Sequence, residues 1–204
     1  ILKILKKNNI KTISSGGTYK KIINLGYKCQ EISKFTGEEE ILNGRVKTLH
    51  PKIYAGILNK RNNKEHKRVM KLKKYQSIDL IIVNFYPFEK VFKETKNHEK
   101  IIENIDIGGP TLVRAAAKNY NDTVVITNKN QYKEFINELN QNKGSTTIDF
   151  RKKLSEEAFS LTSQYDALIS TYLGEKNKNI FPKKKIIHTN LLENLRYGEN
   201  PHQN

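Results

Sequence analysis

The sequence predicts an open, doubly wound α/β domain built on a parallel sheet. Three observations carry this expectation. Short apolar runs alternate with amphipathic helical patterns, polar glycine-containing stretches follow the apolar runs, and 204 residues suffice for one full-sized domain with a real hydrophobic core. Repeated strand and helix alternation places helices on both faces of a parallel sheet, which argues against a β-sandwich or a helical bundle.

Apolar Ile1, Leu2 and Leu5 among lysines make residues 1–9 the tail of a helix, with a short strand over residues 10–14. After Gly16 and Gly17 a helical pattern runs to Leu25, Gly26 stops it, and a strand is expected over residues 28–32. Residues 33–51 read as loop, and "NGRVKTLHPKIYAGIL", residues 43–58, shows no helical periodicity. "EHKRVMKLKKYQ" is a polar helix, "DLIIVNFYPF" a buried strand and "EKIIENI" a helix. Pro110 opens the helix "GGPTLVRAAAKNY", since a proline at the first helical position lacks only an N–H that has no helical partner there, and "TVVIT" is a further strand. From Lys129 onward the pattern is helical, including a long amphipathic helix over residues 153–174, followed by a Lys/Asn-rich linker.

A formal charge of +16 would suit a nucleic-acid binder. The lysines, however, are spread over helix faces and loops, and the aromatics fall in apolar strands, so nucleic acid is not an expected partner. A single cysteine, Cys29, excludes an internal disulfide and a Cys-based zinc site and fits a reducing compartment, with the cytoplasm the default. The longest apolar run, residues 78–88, is too short and too polar at Asp79 and Asn84 to span a bilayer. The amino terminus has no signal-peptide pattern and no Met, so the chain is expected to begin in mid-domain.

In open α/β sheets ligands sit beyond the carboxyl ends of strands. Four stretches fall there. "SSGGTYK", residues 14–20, lets backbone N–H groups approach an anion, with hydroxyls at Ser15 and Thr18; its plainer reading is a helix cap with a glycine turn. In residues 43–58, Arg45 can clasp a phosphate in a fork, Lys47 adds a compact charge and Thr48 a donor, unless the stretch is only a solvated loop; His50, before Pro51, could simply shape a turn. "VNFYPF" presents Asn84, suited to reading a carboxamide or ring edge, and Tyr86, or it merely ends a strand. In "ENIDIGGPTLVRAAAKN", Asp106 and Lys118, about two turns further along the helix, could form a proton-transfer pair close to a helix start, or else a buried ion pair or a surface lysine. Together the four describe one site with a phosphate end, a carboxamide-reading edge and a pair of proton carriers.

Five segments, in this order, resemble the AICAR transformylase/IMP cyclohydrolase family of purine biosynthesis: "SGGT", "GRVKTLHPKIYAGIL", "DLIIVNFYPF", "ENIDIGGPTLVRAAAKN" and "LRYGENPHQ". The resemblance implies a methylglyoxal-synthase-like three-layer sandwich with a mostly parallel sheet and carboxyl-terminal helices. It implies a cyclohydrolase domain over residues 1–175, a linker over 176–187 and the start of a transformylase domain over 188–204. The implied reaction closes the ring of the formylated AICAR nucleotide (FAICAR) to give IMP and water, with no metal or organic cofactor. Its nucleotide substrate would be the main partner, with a homodimer as the assembly.

By the same resemblance, Ser15, Gly16, Gly17 and Thr18, with Arg45, Val46, Lys47 and Thr48, form the phosphate and ribose cradle. Val83 and Asn84, with Asp106 and Ile107, form the base-binding edge. Lys118 is the implied proton donor and acceptor, with Lys47, Tyr86 and Asp106 as supporting catalytic groups. The family begins with a strand and a Ser/Lys-containing loop that would precede Ile1, so the sheet is expected to lack its first strand. At the other end Arg196 and Tyr197 would help bind the AICAR nucleotide, whereas the folate site for 10-formyltetrahydrofolate lies beyond Asn204, so formyl transfer is not expected of these residues. A non-catalytic, anion-sensing module of the same fold is the alternative, and the joint presence of Lys47, Tyr86, Asp106 and Lys118 favours the enzyme.

Overall fold

The computed structural model describes residues 1–177 except Pro87, together with Phe181, residues 183–187 and Thr189. Contacts divide the chain into two compact units, Ile1–Thr162 and Ser163–Asn204. The division falls inside a helix, earlier than the boundary at residue 175 that the resemblance implies.

The first unit opens with α1 (Leu2–Lys7), β1 (Ile13–Ser14), α2 (Gly16–Asn24) and β2 (Gln30–Glu31), the order expected from the sequence with shorter strands. Residues 33–51, expected to be loop, instead contain α3 (Ile32–Thr36) and lead into α4 (Pro51–Leu58). The missing periodicity in residues 43–58 is thereby corrected for its last eight residues. Proline sits at the first helical position of α4, His50 Nδ1 accepts from Lys52 N–H at 3.1 Å, and Ile53, Gly56 and Ile57 are buried at helical spacing. His50 therefore shapes the helix start.

Next come α5 (Lys64–Leu72), β3 (Leu80–Ile82), α6 (Phe88–Glu94), α7 (His98–Glu103), α8 (Gly108–Lys118), β4 (Val124–Ile126), α9 (Gln131–Gln141) and α10 (Ile148–Lys176). The run "DLIIVNFYPF" is strand only over its first apolar residues, because β3 pairs with β4 over that length alone, with Leu80, Ile81 and Ile82 opposite Val124, Val125 and Ile126.

The strands pair in parallel as expected, but among the described residues they do not join into one sheet. Among the described residues the strands make two parallel pairs, β1 with β2 and β3 with β4, and no strand hydrogen-bonds one pair to the other. One core nevertheless serves both: Ile13 of β1 and all three residues of β3 and of β4 pack with Ile4 and Leu5 of α1, Ile53 and Ile57 of α4, Val113 and Ala116 of α8, and Phe135 of α9. Ala115, Ala116 and Ala117 are all buried. Small side chains there let α8 approach the strands closely, at the cost of little apolar area per residue.

In the second unit, residues 163–176 continue α10, and the described residues beyond Lys176 form neither helix nor strand; Phe181 is 90% exposed. Arg196 and Tyr197 lie outside the described residues, as does most of the stretch 188–204. Among the described residues no helix is long and apolar enough to cross a membrane.

Candidate functional site

Two helices begin side by side. Tyr54 Oη of α4 donates to Thr111 Oγ1 near the start of α8 at 2.8 Å, and at their far ends Asn119 Nδ2 donates to Ile57 O at 2.7 Å and to Asn59 O at 3.2 Å. The helices therefore run in the same sense. The partial positive charges of their first turns face one end of the unit.

Residues 45–48 meet that end. A methyl placed on Gly108 would lie 2.9 Å from Thr48 Oγ1, so the absence of a side chain at Gly108 is what admits Thr48. The approach to this stretch is a tight turn. Leu42, Asn43 and Gly44 take φ of 53°, 54° and 83°, which suits Asn and Gly but strains Leu, while Ile41 and Val46 pair across the turn. Lys47 Nζ and Glu40 Oε2 both lie 3.7 Å from where a Gly44 side chain would stand, which places the lysine amine over the turn. Arg45 Nη2 reaches Glu103 Oε2 of α7 at 3.1 Å.

Asp106 closes the same end. Its Oδ1 accepts from Gly109 N–H at 2.8 Å, and a methyl on Gly109 would overlap its carboxylate. A negative charge thus caps α8 at the positive end of the helix. The arrangement offers the positive ends of two helices and two cations for an anion, a hydroxyl at Thr48, and the carboxylate of Asp106.

Ser15, Gly16, Gly17 and Thr18 follow the carboxyl end of β1. Gly16 sits at φ 53°, and the Ser15 hydroxyl makes no capping bond, so the plain helix-cap reading of this stretch does not describe the side chain. Thr18 is exposed. Just past β3, Val83 N–H donates to Ile126 O at 3.0 Å; beyond it Asn84 is exposed and Tyr86 is 55% exposed. Val46 is half-buried and Ile107 exposed beside the α8 start.

Lys118 is not part of this cluster. It is the last residue of α8, and ten steps of about 1.5 Å separate it from Gly108 by about 15 Å. The expected pairing of Asp106 and Lys118 near one helix end is therefore corrected: the helix holds them at opposite ends, and Lys118 is exposed. Lys118→Met is expected to leave IMP affinity within about twofold, because no contact at the α8 start is lost; calorimetric titration showing a larger drop would place the amine at the nucleotide.

Arg45→Ala is expected to behave oppositely. Its ion pair is 63% and 61% exposed, so losing it should change stability by less than about 1 kcal/mol. Losing charge-assisted bonds to a phosphate should weaken IMP binding by about tenfold or more, read by the same titration.

Sequence reasoning missed Tyr54, Thr111 and Glu103. Tyr54 and Thr111 meet from different helices 57 positions apart, and nothing local to either signals the contact. Burial raises the Tyr54 phenol above its usual range, against the Thr111 hydrogen bond, so it remains a donor at neutral pH. Among the described residues no group of three or more His, Cys, Asp or Glu is placed to hold a metal ion.

This fold and its end-on site define a class. Residues 1–111 match the MGS-like domain, and the chain belongs to that family. Residues 116–204 match the AICARFT/IMPCHase bienzyme. More particularly, the chain is similar to bifunctional purine biosynthesis proteins PurH and corresponds to their cyclohydrolase end. It is 46% identical to that of Prochlorococcus marinus over 98% of this chain and 38% of the relative, and 45% identical to that of Clostridium kluyveri over 100% of this chain and 40% of the relative. The chain thus spans about two fifths of the length of these relatives. Among solved structures it resembles that of ForH, with a TM-score of 0.75 at 27% identity, covering 85% of this chain and 89% of that one.

Proposed function

We propose that this chain binds a purine-precursor nucleotide at the α4 and α8 starts and closes the ring of FAICAR to IMP. The observation that supports it best is the convergence of Thr48 on Gly108 beside the Asp106 cap, which joins stretches 60 positions apart into one polar surface. In the proposed reaction the carboxamide nitrogen attacks the formyl carbon of the same molecule and gives up one proton as a C–N bond forms; the former carbonyl oxygen takes up a proton to become a hydroxyl, which leaves as water while the formamide nitrogen loses its proton and a ring C=N bond forms. Holding nucleophile and carbonyl together removes most of the entropic barrier. Asp106 would take a proton from the attacking nitrogen, Lys47 would stabilise the oxyanion, and Tyr86 would protonate the departing hydroxyl. Arg45, Thr48 and the Ser15 to Thr18 loop would hold phosphate and ribose, with Val83, Asn84 and Ile107 against the base.

Loss of water changes no oxidation state, so the reading assigns the step no metal or organic cofactor. A cytoplasmic setting and pairing with a second copy belong to the same proposal. Lys118, remote within one chain, favours a second reading, a nucleotide-binding module without turnover. Conversion of FAICAR to IMP, followed by ultraviolet absorbance on this chain, separates the two: turnover supports the enzyme, and IMP binding without turnover supports the module.

A further inference from the structure

We propose that Tyr54 and Thr111 are positioning residues that fix the first turn of α8 against residues 45–48, and through that turn set the nucleotide affinity of the site. The inference rests on the functional reading above only for what the turn is positioned to bind.

The direction of the bonds follows from their chemistry. Thr111 Oγ1 lies 2.8 Å from Ile107 O and 3.0 Å from Gly108 O, and carbonyl oxygens only accept. The single Thr111 hydroxyl proton is therefore spent on them, and Tyr54 must supply the donor of the 2.8 Å bond between the two hydroxyls. The relay runs from Tyr54 Oη to Thr111 Oγ1 to the carbonyls of Ile107 and Gly108. Those two residues carry the backbone that touches the site, since Gly108 is the residue against Thr48, and the next residue, Gly109, donates to Asp106.

Thr111 alone closes an ordinary bond within its own helix. Tyr54 converts it into a tie to a second helix, because α4 is fixed independently by the His50 cap and by the burial of Ile53 and Ile57. Without the tie, the α8 start could slide along α4 while its far end stayed anchored by the Asn119 bonds to Ile57 O and Asn59 O. A shift of the start alone would part Thr48 from Gly108 and turn the Asp106 cap. Tyr54 touches no substrate atom in this account and acts only through Thr111.

The test uses this chain and four variants: Tyr54→Phe, Thr111→Val, their combination, and Thr111→Ser. IMP titration is paired with amide hydrogen exchange of the free protein. One neutral hydrogen bond carries about a three- to tenfold change in an equilibrium. Tyr54→Phe and Thr111→Val should each lower IMP affinity by that factor and speed exchange across residues 106–111, with β4 unchanged. The double variant should be no worse than the poorer single one, since both cut one relay. Thr111→Ser, which keeps the hydroxyl, should bind like the parent. Unchanged exchange at residues 106–111 in Tyr54→Phe overturns the proposal, as do additive losses, or faster exchange with unaltered affinity. Should the parent bind no IMP while Tyr54→Phe still loosens residues 106–111, the coupling is upheld and the nucleotide reading alone falls.

Discussion

Gly109→Ala is expected to lower FAICAR turnover by about a hundredfold while leaving the protein folded. Helix propensity alone would make alanine about 1 kcal/mol better than glycine here. The added methyl, however, would overlap the Asp106 carboxylate, which must swing away and give up its bond to the Gly109 N–H. Losing such a cap costs about 1 kcal/mol, so the two stability effects nearly cancel. The functional effects do not cancel, because a displacement of about 1 Å at the reacting groups is enough for a hundredfold loss. Comparing kcat/KM for FAICAR with the thermal midpoint in the same preparation checks this. A variant with normal kcat/KM would remove Asp106 from the mechanism.

Gly56→Val should have the largest effect on stability, a loss of about 3 kcal/mol. Gly56 is buried in α4, and any Cβ would come to 2.8 Å from Gln76 O and 3.0 Å from Ile78 Cγ1. The first of these is main chain and cannot rotate aside. Gly56 O also accepts from Ile78 N–H at 2.8 Å, so moving the helix breaks a bond that leads into β3. Overpacking of this kind costs about 1–3 kcal/mol, and a β-branched residue in a helix adds to it. For a protein of this size the thermal midpoint should fall by about 6–12 °C. A midpoint within about 2 °C of the parent would mean that α4 does not pack on the turn before β3 as described.

What the sequence made legible was mostly local. The α8 helix could be read because Gly-Gly-Pro marks its start and alanines fill its buried face. α4 escaped because it is eight residues long, is capped by His rather than Ser, Thr, Asp or Asn, and uses a glycine as one of its three buried positions. "DLIIVNFYPF" looked like a long strand because strand length follows hydrogen-bonded partners, and β4 offers partners to only part of the run. The parallel sense of the pairing was legible, whereas its division into two pairs among the described residues was not, since pairing between β1 and β3 cannot be inferred from either alone.

The site shows the same division. The residue types at 45–48 and 106–109 could be read locally as polar stretches able to carry chemistry, but their meeting through Thr48 and Gly108 is tertiary and has no local signal. The distance between Asp106 and Lys118 was the opposite case. An eleven-residue helix fixes it arithmetically, and alternate placement of the two at one helix end was never sterically open.

The central claim is that a nucleotide sits at the paired starts of α4 and α8, and amide exchange on this chain with and without saturating IMP tests it most directly. Slower exchange at residues 15–18, 45–48 and 106–111, with none around Lys118 and Asn119, is the predicted footprint. Protection centred at the Lys118 end of α8, or no protection anywhere, would contradict it.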